Sequence, residues 1–310
     1  MNLIAPINQQ KLFGLDNHFL ELTRLYKANI YPNKLLLSGL KGIGKSTLAY
    51  HFINFVLSKN ETHKYDLKNF EINSDSPTFK TILNGSNSNL ITIDVNLDKK
   101  FIDVNQIREL ILNLNKSSFN NNPRFVLIDN IDLLNANSIN ALLKVLEEPN
   151  YNIHFILIHN NKRVLSTLLS RCINYKINLT HKKCLQISNQ LLNTKLEKVI
   201  NLELIDYYFT PGNIYYLAKF AEQYNYDLSD LDLRSLLKII IKENHYKKDP
   251  FIKSIVFNLI EFYFTKLNLS ISKKIYEKYS YFLKKISDTK TFNLDEESLF
   301  MEFEEEVLDG

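Results

Sequence analysis

Through about residue 178, short unbroken apolar runs alternate with stretches whose apolar residues recur every three or four positions; after about His181 only the helical period continues. The first pattern predicts a parallel sheet with helices on both faces, and the second predicts all-α structure. Strands are expected at Lys34–Ser38, Leu90–Val95, Phe125–Ile128, His154–Ile158 and, on a weaker run, Ile173–Ile177. Helices are expected between them at Lys45–Leu57, Val104–Asn113 and Asn137–Leu146, with a break at Pro149, which lacks the N–H a continuing helix needs. Leu231–Lys242, Pro250–Lys266 and Ile271–Ile286 are the strongest helical stretches of the later part. Asparagine-rich segments at Asn84–Asn89 and Asn120–Asn122 read as loops. The expected division is an α/β domain over 1–178, a small helical domain over 179–228 and a second helical domain over 229–310.

Composition adds limits. With 310 residues, 45% hydrophobic and 23% charged, the chain is that of a folded protein with room for roughly two domains of ~150 residues. No run approaches the ~18 to 20 apolar residues of a membrane span, and the first residues lack the basic-then-apolar order of a signal peptide, so a cytoplasmic location is expected. Cys172 and Cys184 are the only cysteines, too few for a disulfide framework or a four-cysteine zinc site, and no zinc is expected. The net charge of +4 conceals an acidic end. Asp295 to Gly310 hold eight acids and no Lys or Arg, so the body is more basic than the total implies. A basic body suits a polyanion such as DNA, but the lysines fall in scattered doublets (Lys99-Lys100, Lys182-Lys183, Lys247-Lys248), which solvated helix faces explain more simply. The acidic end reads as a solvated tail in preference to a segment packed on a basic neighbour.

The glycines are informative because there are only seven. Three of them, Gly39, Gly42 and Gly44, lie in Gly39-Leu40-Lys41-Gly42-Ile43-Gly44-Lys45-Ser46, which follows the first predicted strand and runs into a helix through Thr47. This is the G-x-x-x-x-G-K-[ST] phosphate loop in its required context. Glycines let successive backbone N–H groups turn inward toward phosphate oxygens, and the helix N-terminus adds positive potential. Lys45 is the candidate for the β and γ phosphates of ATP, and the Ser46 hydroxyl is the candidate Mg²⁺ ligand. The acid such a site needs at the end of a nearby strand is Asp129, closing Phe125-Val126-Leu127-Ile128-Asp129. In hydrolytic phosphate-loop proteins an acid usually follows it, but here the residue is Asn130, whose amide cannot accept a proton. Asp132 is a possible substitute, although a solvent-facing or helix-capping role is the simpler reading.

Downstream, Asn140-Ala141-Leu142-Leu143-Lys144-Val145-Leu146-Glu147-Glu148-Pro149 precedes a strand, and Ser170-Arg171-Cys172 follows it. In these motifs the chain resembles the AAA+ clamp-loader ATPases. Within them it looks most like the delta-prime type of the bacterial DNA polymerase III clamp loader. The details are Gly42 to Tyr50, Ile102-Asp103-Val104 with Ile107-Arg108, and the spacing from His159 to Cys172. The resemblance covers residues 1 to about 178 well, the next fifty moderately and the last eighty weakly.

That resemblance implies an AAA+ phosphate-loop domain, a helical lid and a helical collar that joins subunits into a ring. It implies an Arg171 that projects toward the adjacent subunit's ATP, where a guanidinium neutralises charge on the γ-phosphate; a salt bridge to the Leu143–Glu147 helix is the structural alternative. Glu147 and Glu148 are placed near the subunit boundary or at a solvated helix end. Leu12-Phe13-Gly14 corresponds to the segment beside adenine, or is core. The chain departs from hydrolytic members at Asn130, at His159 or Asn160 where a Thr or Asn contacts the γ-phosphate, and at Tyr215 where the lid carries an Arg. The implied role is a stator that holds nucleotide through Gly39, Gly42, Gly44, Lys45, Ser46, Thr47 and Asp129, with Mg²⁺ on Ser46 and Asp129, and hydrolyses it weakly or not at all. Its partners would be the gamma/tau and delta subunits, with the sliding clamp and primed DNA met through the complex. A self-sufficient AAA+ motor and a phosphate-loop small-molecule kinase are the alternatives.

Overall fold

The computed structural model describes residues 4–96, 99–115, 120–147, 152–160, 166–207, 209–266, 273–292 and 294–309. Glu148 and Pro149, with the expected break there, lie outside them. The chain divides into two compact units, one of Asn2–Leu191 with Thr210–Asn213, the other of Leu192–Phe209 with Ile214–Gly310.

In chain order the first unit holds α1 (Asp16–Lys27), β1 (Lys34–Ser38), α2 (Lys45–Leu57), α3 (Pro77–Leu83), β2 (Leu90–Ile93), α4 (Val104–Leu114), β3 (Arg124–Ile128), α5 (Ala136–Glu147), β4 (Ile153–His159), α6 (Ser166–Leu169), β5 (Ile173–Lys176) and α7 (His181–Leu192). The five strands form one sheet in the order β2-β3-β4-β1-β5, and every pair is parallel. Successive strand residues point to opposite faces, so each strand supplies two cores. Leu35, Leu37, Phe125, Leu127, Ile156 and Ile158 pack with Phe19, Leu22, Leu48 and Phe52 of α1 and α2 on one side. Leu36, Val126, Ile128, Phe155 and Leu157 pack with Ile107, Leu110, Leu142 and Leu146 of α4 and α5 on the other. Burial on both faces explains why β1 and β3 read as unbroken apolar runs instead of alternating ones.

The strands and helices expected here all form, with shifted ends. β2 stops at Ile93 because Asp94 Oδ1 takes the Val95 N–H at 2.7 Å, a local bond that competes with the ladder. α4 opens with a capping box, in which the Asp103 carboxylate accepts from Gln106 N and Gln106 Oε1 accepts from Asp103 N. α1 and α3 were not among the expected helices. α3 has only seven residues and is started by Pro77 and by a Ser76 side chain that accepts from Phe79 N.

The second unit is helical: α8 (Leu202–Ile205), α9 (Pro211–Tyr224, whose first residues belong to the first unit), α10 (Leu233–Lys242), α11 (His245–Lys248), α12 (Pro250–Lys266), α13 (Lys273–Phe292) and α14 (Glu296–Phe303). Here the structure corrects the sequence reading of the acidic end. Asp295 caps α14 by accepting from Glu297 N and Ser298 N. Leu299, Phe300, Phe303 and Leu308 are each 0% exposed, while the acids between them pair with basic residues of the same unit: Glu297 with Lys247 at 2.5 Å, Glu296 with Lys253, Glu302 with Lys285 and Asp309 with Lys238. Counting charges hid the apolar spacing that makes this segment an amphipathic helix.

One buried group sets a pH limit on the first unit. The His51 ring sits in its core, with Nε2 donating to the Gln9 carbonyl at 2.9 Å and Nδ1 accepting the Tyr65 hydroxyl at 2.8 Å. Burial lowers its pKa from 6.5 to about 4. Between those values the unfolded chain binds a proton that the folded chain refuses, so stability is intact above 6.5 and falls as pH drops. The expected outcome is a urea midpoint lower near pH 5 than near pH 7, as the unfolding free energy falls by up to about 1.4 kcal/mol per pH unit between the unfolded and folded pKa values; an unchanged midpoint would contradict the buried neutral ring.

Candidate functional site

Ligands of open parallel sheets bind beyond the carboxyl ends of the strands, and the motif residues gather there. The loop from Gly39 to Gly44 connects β1 to α2, and all three of its glycines have positive φ: 151° at Gly39, 85° at Gly42 and 92° at Gly44. At Gly42 the requirement is also steric, since a Cβ would stand 2.4 Å from Thr210 Oγ1. Gly212 N donates to the Gly42 carbonyl at 2.8 Å, so Thr210–Asn213 is backbone-packed on the loop. Nothing in the motif itself pointed to that segment.

Lys45, the first residue of α2, is 3% exposed, and its ammonium donates to the Gly39 and Leu40 carbonyls at 2.8 and 2.6 Å. Burial lowers its pKa to about 8, with the charges of Asp129 and Asp132 opposing the shift. Ser46 Oγ donates to Asp129 Oδ2 at 2.5 Å, and Thr47 follows, half-buried, in the same helical turn. Asp129, just past the end of β3, takes Asn130 N on its other oxygen at 2.8 Å. Burial raises its pKa, and the Ser46 hydroxyl works against that rise. Residues predicted from separate motifs 83 positions apart therefore meet as one site. The group fits a magnesium nucleotide: glycines with no room for side chains, a buried ammonium for phosphate oxygens, and a hydroxyl and carboxylate that together can ligate Mg²⁺.

Beside Asp129 lies a polar chain across three strand ends. Asn130, at φ 52°, donates its amide to Asp94 Oδ1 at 2.8 Å and accepts from the Asn160 amide at 2.8 Å. Asp132 lies at the other end. It was expected to face solvent or cap a helix; instead its side chain is 2% exposed, with Oδ1 2.9 Å from His159 Nε2 and Oδ2 accepting Asn160 N at 2.8 Å. The correction has a tertiary cause, because β4 lies beside β3 and brings His159 and Asn160 over the turn that follows Asp129. Only Oδ2 of Asp132 accepts a hydrogen bond, from Asn160 N; Oδ1 is buried beside His159 Nε2 without a hydrogen-bond partner among the described residues. Asp94 carried no motif, and only the pairing of β2 with β3 brings it here.

Arg171 stands apart, after α6. Its Nε and Nη2 donate to Glu147 Oε1 at 3.0 and 2.5 Å, and Nη1 donates to the Thr167 carbonyl at 2.8 Å. The side chains of Arg171 and Glu147 are 33% and 56% exposed. The salt bridge to the preceding helix is thus present, and it leaves the guanidinium at the surface. Cys172 is buried, which pushes its thiol up to about 11. Leu12 belongs to the core at 3% exposure, whereas Phe13 is half-buried. Tyr215 lies in the second unit.

A family model described as "DNA polymerase III, delta subunit" matches residues 15–181, more than half of the chain. The chain belongs to this family. It is 25% identical over 273 residues to the DNA polymerase III subunit delta' of Buchnera aphidicola subsp. Schizaphis graminum (strain Sg), covering 82% of this chain and 77% of that protein. Against the delta' subunit of Buchnera aphidicola subsp. Baizongia pistaciae (strain Bp) identity is 31% over 173 residues, 50% of this chain and 49% of that one. Against the gamma subunit of the Schizaphis graminum strain it is 31% over 145 residues, 46% and 38%. The chain spans half or less of the length of several of the curated relatives it matches. Family and geometry agree on a parallel-sheet AAA+ phosphate-loop domain, with helical structure after it. Among the described residues no helix is long and apolar enough to cross a membrane.

If Lys45 meets phosphate, binding must restore the charge that burial removes. Near pH 8.5, above its free-chain pKa of about 8, Mg·ATP binding is expected to take up about half a proton or more, falling toward zero near pH 7. Calorimetry in two buffers of different ionisation enthalpy measures this, and binding with no uptake at the higher pH would remove Lys45 from the phosphate contact.

Proposed function

We propose that the chain is a clamp-loader subunit of the DNA polymerase III type: a stator that holds ATP, hydrolyses it weakly or not at all, and lends Arg171 to a neighbouring subunit. The observation that carries this reading is the Ser46–Asp129 pair at 2.5 Å beside an amide, Asn130, where a hydrolytic site needs a free acid. The delta' names of its relatives support the assembly.

Gly39, Gly42 and Gly44 would cradle the phosphates, with Lys45 on the β and γ oxygens and Thr47 in the first turn of α2 behind them. Bound Mg²⁺, held by Ser46 and Asp129, would neutralise phosphate charge. What position 130 lacks is an acid to orient and deprotonate water: Asn130 bonds Asp94 and Asn160, and the nearby Asp132 is buried with one oxygen on Asn160 N. General-base assistance of about 10²- to 10⁴-fold is missing at that position accordingly. Asp94 is held through one oxygen by the Asn130 amide, which keeps that carboxylate turned toward Asn130.

In this reading the three-part division stands as nucleotide domain (1–178), lid (179–228) and collar (229–310). The partners are gamma/tau and delta subunits. Primed DNA and the sliding clamp are met through the complex, and any DNA contact is to phosphates and independent of sequence. Arg171 would bridge the recipient's γ-phosphate, where such arginines are worth about 10³- to 10⁵-fold.

Arg171→Ala is expected to leave the reconstituted complex assembled while lowering DNA-stimulated hydrolysis at the recipient site on the order of 10³-fold, total turnover falling by that site's share. Unchanged steady-state ATPase would sink the arginine's role. Turnover by the isolated chain that Lys45→Ala abolishes would replace the stator with a self-sufficient motor.

A further inference from the structure

The Arg171 guanidinium carries five N–H groups, and the chain engages them unevenly. Nε–H and one Nη2–H converge on the single oxygen Oε1 of Glu147, at 3.0 and 2.5 Å, and one Nη1–H goes to the Thr167 carbonyl at 2.8 Å. Among the described residues the second N–H of Nη2 has no partner, and Nη1 has only a further 3.4 Å contact with the Ser170 hydroxyl. That hydroxyl is itself turned to the Thr167 carbonyl at 3.0 Å. The Nε–Nη2 edge of the guanidinium is therefore clamped on Glu147 and Nη1 on Thr167, and among the described residues it is the second Nη2–H that stays unengaged. A guanidinium grips phosphate through paired, parallel N–H groups.

Glu147 also sits where a carboxylate is otherwise unfavourable. It is the last residue of α5, at the negative end of the helix dipole, and it is 56% exposed. The helix dipole disfavours an acid there, and the cation bonded to it, Arg171, offsets that cost.

We infer that Glu147 is the positioning residue for Arg171: it takes the Nε edge, fixes the long side chain in one rotamer against α5, and leaves the part-exposed Nη end, with its unengaged Nη2–H, for a neighbouring subunit's phosphate. The inference rests on the trans role of Arg171 given above. The contact is not an inhibitory latch, because Glu147 occupies the edge that a phosphate at the Nη end does not need, and because a part-exposed ion pair is weak enough to steer a side chain without trapping it. Its benefit is reduced conformational search by a side chain of high rotamer entropy.

The test is steady-state ATPase of the reconstituted complex on primed DNA, with Glu147→Ala, Glu147→Gln, Arg171→Ala and the Glu147→Ala/Arg171→Ala double variant. Glu147 is exposed, so its variants should fold, and assembly is checked by gel filtration. Glu147→Ala is expected to lower hydrolysis at the recipient site roughly three- to fivefold, total turnover falling by most of what Arg171→Ala removes, with KM for ATP unchanged. Glu147→Gln, whose carbonyl can still accept from Nε and Nη2, should recover most of that loss, and the double variant should equal Arg171→Ala alone. Overturning results are an unchanged or raised kcat in Glu147→Ala, or a loss that persists undiminished in the Arg171→Ala background. If Arg171→Ala itself changes nothing, the trans role fails; if Arg171→Ala lowers turnover and Glu147→Ala does not, only the positioning role fails.

Discussion

Three parallel strands must end side by side before any of this chemistry exists. β4 lies between β1 and β3, with Leu36 opposite Leu157 and Ile128 opposite the same residue from the other side. That register places Ser46, just past the loop after β1, within hydrogen-bond reach of Asp129 at the end of β3. The same ladder carries His159 and Asn160 to Asp132 and Asn130. The apolar faces of the strands maintain it, since a one-residue slip would turn every buried side chain of a strand to the opposite face. The site is thus a consequence of the two cores, one with α1 and α2 and the other with α4 and α5.

Within that frame the polar groups are paired with each other. Lys45 is held by loop carbonyls, Ser46 by Asp129, Asn130 by Asp94 and Asn160, and Asp132 by His159 and Asn160. Buried polar groups left unpaired are costly, so a chain of mutual partners keeps the end of the sheet ordered. It also limits the chemistry, because the residue beside Asp129 is an amide, Asn130, which cannot accept a proton. An incoming phosphate would have to exchange with the Gly39 and Leu40 carbonyls for the Lys45 ammonium.

The second unit shows the same dependence on partners. Its acidic end is satisfied internally, with Phe264, Phe282 and Phe303 in mutual ring contact and the acids of α14 on lysines of α11, α12 and α13. A segment with eight acids becomes a packed helix because its apolar residues recur at helical spacing and basic side chains stand opposite.

The amino-acid sequence alone determined the α/β and then all-α order, the five strands, and the phosphate loop with its lysine, hydroxyl and strand-end acid. These are local signals: apolar period, glycine at positions of positive φ, and a motif whose chemistry lies within eight consecutive residues. Strand ends were less legible, as at Val95, where one aspartate side chain displaced a ladder bond. Only the tertiary structure decided which groups meet. Asp94 enters the site because β2 pairs with β3, Asp132 meets His159 and Asn160 because β4 lies beside β3, Gly212 touches Gly42 across 170 residues of chain, and Glu147 holds Arg171 from 24 residues away. None of these pairs has a spacing that composition or periodicity could reveal, because contact across a sheet depends on strand order, and strand order is a property of how the cores close.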